Sequence, residues 1–331
     1  EDRAVLLRKD AFRSLIFVLL GAALLYAYHA KKIKANVFYF LLGLIFLIDL
    51  WPVNKRYLND ENFVPERTAE TPFAATAADR EIMKDDELYY RVYDMTPGDP
   101  FGSARAAYFH YSIGGYHGAK MRRYQEVYDF HLKENPDPEV LDMLNAKYII
   151  RRNPQTRNIE AVKRPTHLGN AWFVSDYQMV ENADEEIALL GDLNPEQRTI
   201  IDQRFSEFVE ETELKPDTTA IIELTEYAPN RLEYKYQTNE QQIAVFSDIY
   251  YPEGWEARIN DEEAPHFRVN YILRAMVVPP GEGKIVFEFK PDAYFVGSKI
   301  AFAGSTLLVL MVIGGIFFFF FKKDGEEEVI Q

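Results

Sequence analysis

Residues 111–125 (YSIGGYHGAKMRRYQ) combine residue types that could hold a phosphate-bearing ligand. Gly114 and Gly115 come directly before a stretch with helical spacing, and the N–H groups at a helix start favour an anion. Basic side chains follow, and the tyrosines offer rings for a sugar and hydroxyl groups for hydrogen bonds. The candidate substrate-binding residues are Tyr111, Ser112, Gly114, Gly115, Tyr116, His117, Lys120, Arg122, Arg123 and Tyr124.

The same segment is also typical of an ordinary amphipathic helix that follows a glycine turn. One stripe at helical spacing consists of His117, Met121, Tyr124, Tyr128 and Leu132. In this interpretation Arg122 and Arg123 lie in solvent or pair with Glu126 and Asp129. Spacing alone leaves both interpretations open.

Other kinds of catalytic chemistry find little support in the chain. His110, His117 and His131 are close in sequence, but their spacing does not give the two-ligand helix face of a metal site. The chain has no cysteine, which excludes disulfides, thiolate metal sites and a cysteine nucleophile. We therefore predict no catalytic residue, no metal site and no cofactor within these residues.

Helices and strands must position the candidate residues. Residues 116–133 are predicted to form a helix, and Asp137-Pro138-Glu139 predicts the start of another, because it combines an N-cap, an N-terminal proline and an acid. The other predicted elements are strands at 89–94, 146–150 and 171–174 and helices at 184–190 and 194–208. This mixture predicts an α+β fold.

The second half of the polar region has a different pattern. Short alternating runs are separated by turns rich in Pro, Gly, Asn and Asp, which predicts an antiparallel β-sandwich. The predicted strands are 218–225, 231–237, 242–250, 255–259, 266–269, 272–278 and 284–290.

Three apolar stretches, residues 14–30, 35–51 and 300–321, lie at the two ends of the chain. Each reaches or approaches the ~20 residues that a helix needs to cross a bilayer. We predict an α+β membrane-anchored protein with two N-terminal transmembrane helices, an outward domain and one C-terminal transmembrane helix. The predicted domains are 1–53 (interfacial segment and two transmembrane helices), 54–215 (outward α+β subdomain), 216–292 (outward β-sandwich) and 293–331 (transmembrane helix and cytoplasmic tail).

Basic residues beside the apolar stretches predict the orientation in the membrane. Lys31, Lys32 and Lys34 lie between the first two stretches, and Lys322 and Lys323 follow the third. If these lysines are cytoplasmic, the large polar domain faces the periplasm or exterior. Basic residues within 3–13 argue the other way unless they belong to a short interfacial helix.

Asp49 lies near the outer end of the second apolar stretch, with Lys55 and Arg56 just beyond it. Intramembrane carboxylates are candidates for function. At this depth Asp49 can also reach interfacial water or pair with Lys55 or Arg56. We take these three as candidate membrane-interface residues.

The net charge and the first residues of the chain limit which partners are expected. The 331 residues carry a net charge of -15, so nucleic acid is not an expected partner. The chain begins Glu1-Asp2-Arg3, without an initiator Met or a signal peptide before the first apolar stretch. We expect it to be the C-terminal piece of a longer polytopic protein, with the lipid bilayer and the upstream transmembrane part as partners.

Five segments resemble the bacterial YfhO family of polytopic membrane proteins. They are LIDLWPVNKRYLND (47–60), YFHYSIGGYHGAKMRRYQ (108–125), VLDMLNAKYII (140–150), GNAWFV (169–174) and YYPEGWEARIN with FRVNYILRAMVVPPGEGKIVFEFKP (250–291). The family is similar to GT-C glycosyltransferases, which have many spans, a lipid-phosphate-linked sugar donor and an outward domain.

The resemblance implies a parent protein that transfers a sugar from a polyprenyl-phosphate carrier to a cell-envelope acceptor, with the outward domain helping to bind substrate. It implies a catalytic acid in an upstream outward loop rather than in this chain, and the parent could use a divalent metal ion. Two alternatives remain open. One is a carbohydrate- or polymer-binding module of an envelope assembly or transport complex, and the other is a purely structural subunit.

Overall fold

A computed structural model describes residues 2–210 and 214–322, and the chain divides into two compact units, Glu1–Ala74 and Ala75–Gln331. Three helices are long and apolar enough to cross a membrane: Leu7–His29, Ala35–Asn62 and Asp292–Phe321. The three predicted membrane helices are therefore confirmed. The predicted cytoplasmic tail, with Lys323, lies outside the described residues.

The first unit is a helical hairpin of α1 (Asp2–His29) and α2 (Ala35–Tyr57), followed by the short α3 (Glu66–Glu70). Tyr28 stacks on Phe38 beside the turn, with ring centroids 4.7 Å apart. No proline or glycine interrupts the chain before Gly21. Residues 3–13 therefore form the first part of α1 rather than a separate interfacial helix.

The second unit begins with a small mixed sheet and four short helices. Its strands are β1 (Arg91–Asp94), β2 (Ala146–Arg152) and β3 (Ile159–Lys163), and its helices are α4 (Ala77–Ile82), α5 (Arg105–Phe109), α6 (Arg122–Val127) and α7 (Pro138–Met143). β2 lies in the middle, parallel to β1 and antiparallel to β3. α7 begins where the sequence predicted, because the Asp137 carboxylate caps it by accepting from the Glu139 N–H at 3.1 Å.

The segment predicted as a helix at 194–208 is different in the structure. It contains β6 (Arg198–Asp202), which pairs in parallel with β5 (Asp176–Val180), and a 3₁₀ helix at Gln203–Phe208. The run Thr199-Ile200-Ile201 is β-branched and fully buried, and such residues favour a strand. The helical prediction is therefore wrong here, whereas the predicted helix at 184–190 is confirmed as α8 (Ala183–Ala188).

Two antiparallel sheets packed face to face form the predicted sandwich. The remaining strands are β4 (Ala171–Val174), β7 (Ile221–Ala228), β8 (Arg231–Thr238), β9 (Gln242–Ile249), β10 (Trp255–Ile259), β11 (Glu262–Glu263), β12 (Phe267–Val269), β13 (Leu273–Val278) and β14 (Gly281–Phe289). One sheet has the order β11-β10-β14-β8-β7 and the other β12-β13-β9-β4. Tyr234 and Phe287 of the first sheet meet Phe246 of the second in the shared core. Because β4 pairs with β9, the sandwich includes a strand that precedes residue 216.

The last helix, α9 (Asp292–Lys322), follows the sandwich after two residues. Its residues up to Phe321 are exposed, as expected for a helix whose partner is lipid.

Candidate functional site

The glycines of the predicted phosphate segment do not stand at a helix start. α6 begins at Arg122, and the chain at Gly114 and Gly115 forms neither helix nor strand. A Cβ on Gly114 would lie 2.4 Å from the Pro100 carbonyl oxygen, and the Gly115 N–H donates to that oxygen at 2.9 Å. The glycines thus allow close packing against the loop at Pro100, and the prediction of a helix that begins next to them is wrong.

The three basic side chains of the segment each have a different partner. Arg122 pairs with Glu126 at 2.8 Å, which is the ion pair that the amphipathic-helix interpretation expected. Arg123 pairs with the buried Glu186 at 3.3 Å. Lys120 lies 4.0 Å above the centre of the Phe101 ring. Both arginines are therefore paired with carboxylates within the protein, and no contact described here tests phosphate binding.

The other candidates of the segment are divided between surface and core. Tyr111, Tyr116 and His117 are exposed. The Ser112 hydroxyl is buried without a hydrogen-bond partner in the described part of the chain. Tyr124 is half-buried and donates its hydroxyl to the Ile113 carbonyl at 2.7 Å, and burial raises its pKa.

The membrane-interface residues pair across the hairpin. Asp49 contacts Arg13 at 3.5 Å, and Arg56 contacts Asp10 at 3.1 Å. Asp49 therefore pairs with Arg13 rather than with Lys55 or Arg56, because the antiparallel α1 places Arg13 beside the carboxylate.

A groove of about 480 Å³ lies between two segments of the second unit. Residues 83–90, which follow α4, line one side, and residues 107–111, at the end of α5, line the other. Its aromatic side chains are Tyr89, Tyr90, Tyr108, Phe109 and Tyr111. We call this cleft the aromatic groove, and Tyr111 is the predicted site residue that it contains.

A charge cluster lies at one side of the aromatic groove. The buried Lys147 ammonium contacts Asp85 at 2.6 Å and also bonds to Glu87, and the Tyr148 hydroxyl donates to Asp85 at 2.7 Å. Burial alone would raise the pKa of Asp85, but the hydrogen bonds from Lys147 and Tyr148 outweigh it and lower the pKa to about 2. The side chain of Glu87 remains 35% exposed, so its carboxylate can accept hydrogen bonds from a ligand.

The two sides of the groove are joined by one buried carboxylate. Asp79 of α4 accepts hydrogen bonds from Arg105 of α5 and from Thr76, and its carboxylate lies 3.1 Å from His110 Nε2. Burial alone would raise the pKa of Asp79, but these hydrogen bonds outweigh it and lower the pKa to about 2. Asp94 also contacts Arg105 at 3.3 Å.

Sequence reasoning had only one signal for this groove. The run Tyr108-Phe109-His110-Tyr111 is unusually aromatic, but the other side comes from residues about 20 positions earlier. In the part of the chain that the structure describes, no group of three or more His, Cys, Asp or Glu residues could hold a metal ion.

Fold and groove define a membrane-anchored α+β protein whose large polar unit combines a β-sandwich with an aromatic cleft. The sequence model of the family described as "Bacterial membrane protein YfhO" matches residues 209–301, which cover the sandwich from β7 onwards and the first part of α9. The resemblance to the YfhO family that the sequence suggested is thus confirmed over this part of the chain. No curated protein and no solved structure matches the chain.

Proposed function

We propose that this chain is the C-terminal part of a membrane glycosyltransferase that uses a polyprenyl-phosphate-linked sugar for cell-envelope glycosylation. In this proposal the large polar unit faces the periplasm or exterior of a bacterial inner membrane and helps to bind substrate. The catalytic acid, and any divalent metal ion, belong to the upstream part of the same protein. The proposal is supported by the membrane helices, by the resemblance to GT-C enzymes and, above all, by the aromatic groove.

The aromatic groove has the chemistry that a sugar requires. Sugar rings present C–H groups that pack on aromatic faces, while their hydroxyl groups donate to carboxylates. Tyr108 and Tyr111 are 48% and 51% exposed, so part of each side chain faces solvent. The volume of about 480 Å³ lies within the range of small-molecule sites, about 300–1,000 Å³.

The side chains of the groove are already held in place, which favours binding without a large rearrangement. The hydrogen bonds of Asp79 hold both sides, and Lys147 holds Asp85 and Glu87, so fewer groups must be ordered when a ligand enters. The groove adds residues to the proposed substrate site in segment 111–124 and does not replace that site. Tyr111 belongs to both, and phosphate contacts by Arg122 and Arg123 stay a proposal.

A non-catalytic carbohydrate-binding module of an envelope assembly or transport complex is the second candidate. It is favoured by the same groove, because this chain carries no proposed catalytic group. Sugar binding is common to both candidates, and transfer by the longer protein separates them.

The test begins with sugar binding by the full chain in lipid nanodiscs. Saturation-transfer NMR with glucose, galactose and N-acetylglucosamine should show contact for at least one of them. Tyr111→Ala should weaken that binding about 5–10-fold, because one aromatic contact is worth about 1–1.5 kcal/mol. Tyr111→Phe should retain most of it, because the ring remains.

Phe130→Ala is the matched control, since Phe130 is an aromatic residue that is 72% exposed and does not line the groove. Equal binding in the Tyr111→Ala and Phe130→Ala proteins would refute the groove as the sugar site. Transfer from a radiolabelled polyprenyl-phosphate sugar by the longer protein then decides between enzyme and module.

Orientation has its own test. Topology reporters fused at Gly169 and after Gln331 should report opposite sides of the membrane, with Gly169 outside. Reporters on the same side would contradict the three-span arrangement.

A further inference from the structure

The turn that precedes β10 packs against the residues directly before the last membrane helix, α9. Gly254 has φ +83°, and a Cβ there would lie 2.8 Å from Pro291, so only glycine allows this contact. The Lys290 N–H donates to the Gly254 carbonyl at 2.5 Å. α9 then begins at Asp292, and the Tyr294 N–H donates to the Pro291 carbonyl at 3.0 Å. We call residues 250–255 with 289–292 the junction.

The position of the junction relative to lipid follows from the sequence of α9. Its uncharged apolar run starts at Ile300, and 22 residues from there to Phe321 span about 33 Å, enough for the hydrocarbon core. Asp292 lies eight residues earlier, about 12 Å along the helix. Since the headgroup layer is about 5–8 Å thick, Asp292 lies about 4–7 Å beyond it. Tyr294 lies about 9 Å from Ile300 along the helix, which leaves the layer within reach of its side chain.

Aromatic side chains surround the junction and are open to that layer. Tyr251 is 40% exposed, and Tyr294 and Phe295 are 67% and 49% exposed. Trp255 and Tyr251 both contact Phe289, with ring centroids 5.2 and 6.4 Å apart. Tyr and Trp favour the membrane interface because one end of each ring system is apolar and the other is polar.

The charged residues of the junction do not favour an electrostatic attraction to anionic lipid. Lys290 is paired with Glu288 and lies 3.7 Å from Glu256, while Glu253 is an exposed acid of the turn. An attraction to anionic lipid needs unpaired basic residues near the surface. The chemistry of this end of the sandwich is therefore aromatic and polar rather than basic.

We propose that the junction is a lipid-contacting surface, which places the end of the sandwich on the headgroup layer of the bilayer that α9 crosses. The contact is made by the rings of Tyr251 and Tyr294 and fixes the height of the sandwich above the membrane. It does not depend on sugar binding or transfer.

The chain contains no cysteine, so single-cysteine variants can be labelled at one position. Glu253→Cys keeps Tyr251 and lies in the turn. Glu282→Cys is the matched control, because it is an exposed acid at the other end of β14, about 23 Å along the strand from Phe289. Both full-length variants carry an NBD fluorophore in vesicles that contain headgroup spin-labelled lipid.

We expect several-fold stronger quenching at position 253 than at position 282. The difference should persist in purely zwitterionic vesicles and in 0.5 M NaCl. Equal quenching at the two positions would overturn the proposal. Quenching at 253 that requires anionic lipid and disappears in salt would also overturn it, because it would show an electrostatic contact.

Discussion

Replacing Asp79 by Asn tests whether one buried carboxylate holds the aromatic groove together. The carboxylate is fully buried and binds Arg105, His110 and Thr76. A pKa lowered from 3.8 to about 2 corresponds to about 2.4 kcal/mol of stability at neutral pH. For a unit of this size that is a fall of about 5–10 °C in the melting temperature.

The same pKa predicts how the stability of the second unit depends on pH. Because the folded-state pKa of Asp79 lies below the unfolded value, its contribution is complete above about pH 5 and is lost as pH falls towards 2. Asp79→Asn removes the charge, so the difference between variant and wild type should be largest at pH 7 and should shrink below pH 4.

The assay is thermal unfolding of the full chain in nanodiscs, followed by tryptophan fluorescence from pH 7 to pH 3. Asp86→Asn is the matched control, since Asp86 is exposed and lies seven residues further on, and it should change the melting temperature by less than about 1 °C. A melting temperature of Asp79→Asn within 1 °C of wild type at pH 7, or a difference independent of pH, would refute this account of the groove.

Four further substitutions have expected outcomes in the same unfolding assay. Gly114→Ala should destabilise by about 1–3 kcal/mol, because the new Cβ would overlap the Pro100 carbonyl oxygen, and a wild-type melting curve would contradict that contact. Trp172→Ala should lower the free energy of unfolding by about 3–5 kcal/mol, since its ring is 8% exposed and its indole N–H donates to a backbone carbonyl at 2.7 Å. A decrease below about 1 kcal/mol would show that the ring is not part of the core. Arg122→Ala should change stability by less than about 0.5 kcal/mol, because its pair is solvent-exposed, whereas Arg123→Ala removes a contact to a buried carboxylate and should cost more. Wild-type sugar transfer by the longer protein with both substitutions would remove the two arginines from the proposed phosphate site.

Local signals in the sequence were sufficient for much of the architecture. Uninterrupted apolar runs of about 20 residues predict the three membrane helices, and alternation with turn residues predicts the sandwich strands. These signals depend only on neighbours in the chain. They failed at 194–208, where burial of Thr199-Ile200-Ile201 between other elements favours a strand, and at Gly115, where packing against Pro100 replaces a helix start.

The aromatic groove depends on contacts that are distant in sequence. Asp79 and His110 are 31 residues apart, and Asp85 and Tyr148 are 63 apart. Many acids and tyrosines in the chain could make such contacts, and composition does not select among them. The basic segment attracted attention because its residues are adjacent in sequence, yet folding gives each charge a different partner.

The groove, the sandwich and α9 are connected by tight contacts. Tyr89 of the groove stacks on Tyr227 of β7, with ring centroids 4.0 Å apart. The buried Arg91 of β1 donates to the Ser247 carbonyl at 2.8 Å and to Asp248 at 3.2 Å, which ties the first sheet to β9. If the junction contacts lipid as proposed, these contacts hold the groove at a fixed distance from the membrane.

In the proposed function, the donor sugar on its polyprenyl carrier has a fixed height, because its phosphate lies at the headgroup layer. Insertion of two glycines between Pro291 and Asp292 should therefore lower transfer by the longer protein at least several-fold. Sugar binding by the groove should stay within about two-fold of wild type, because none of its contacts is changed. Quenching at position 253 should fall as the sandwich loses its contact with lipid. Full transfer with reduced quenching would show that the height of the sandwich does not matter to the reaction, whereas loss of sugar binding would show that the groove itself depends on the junction.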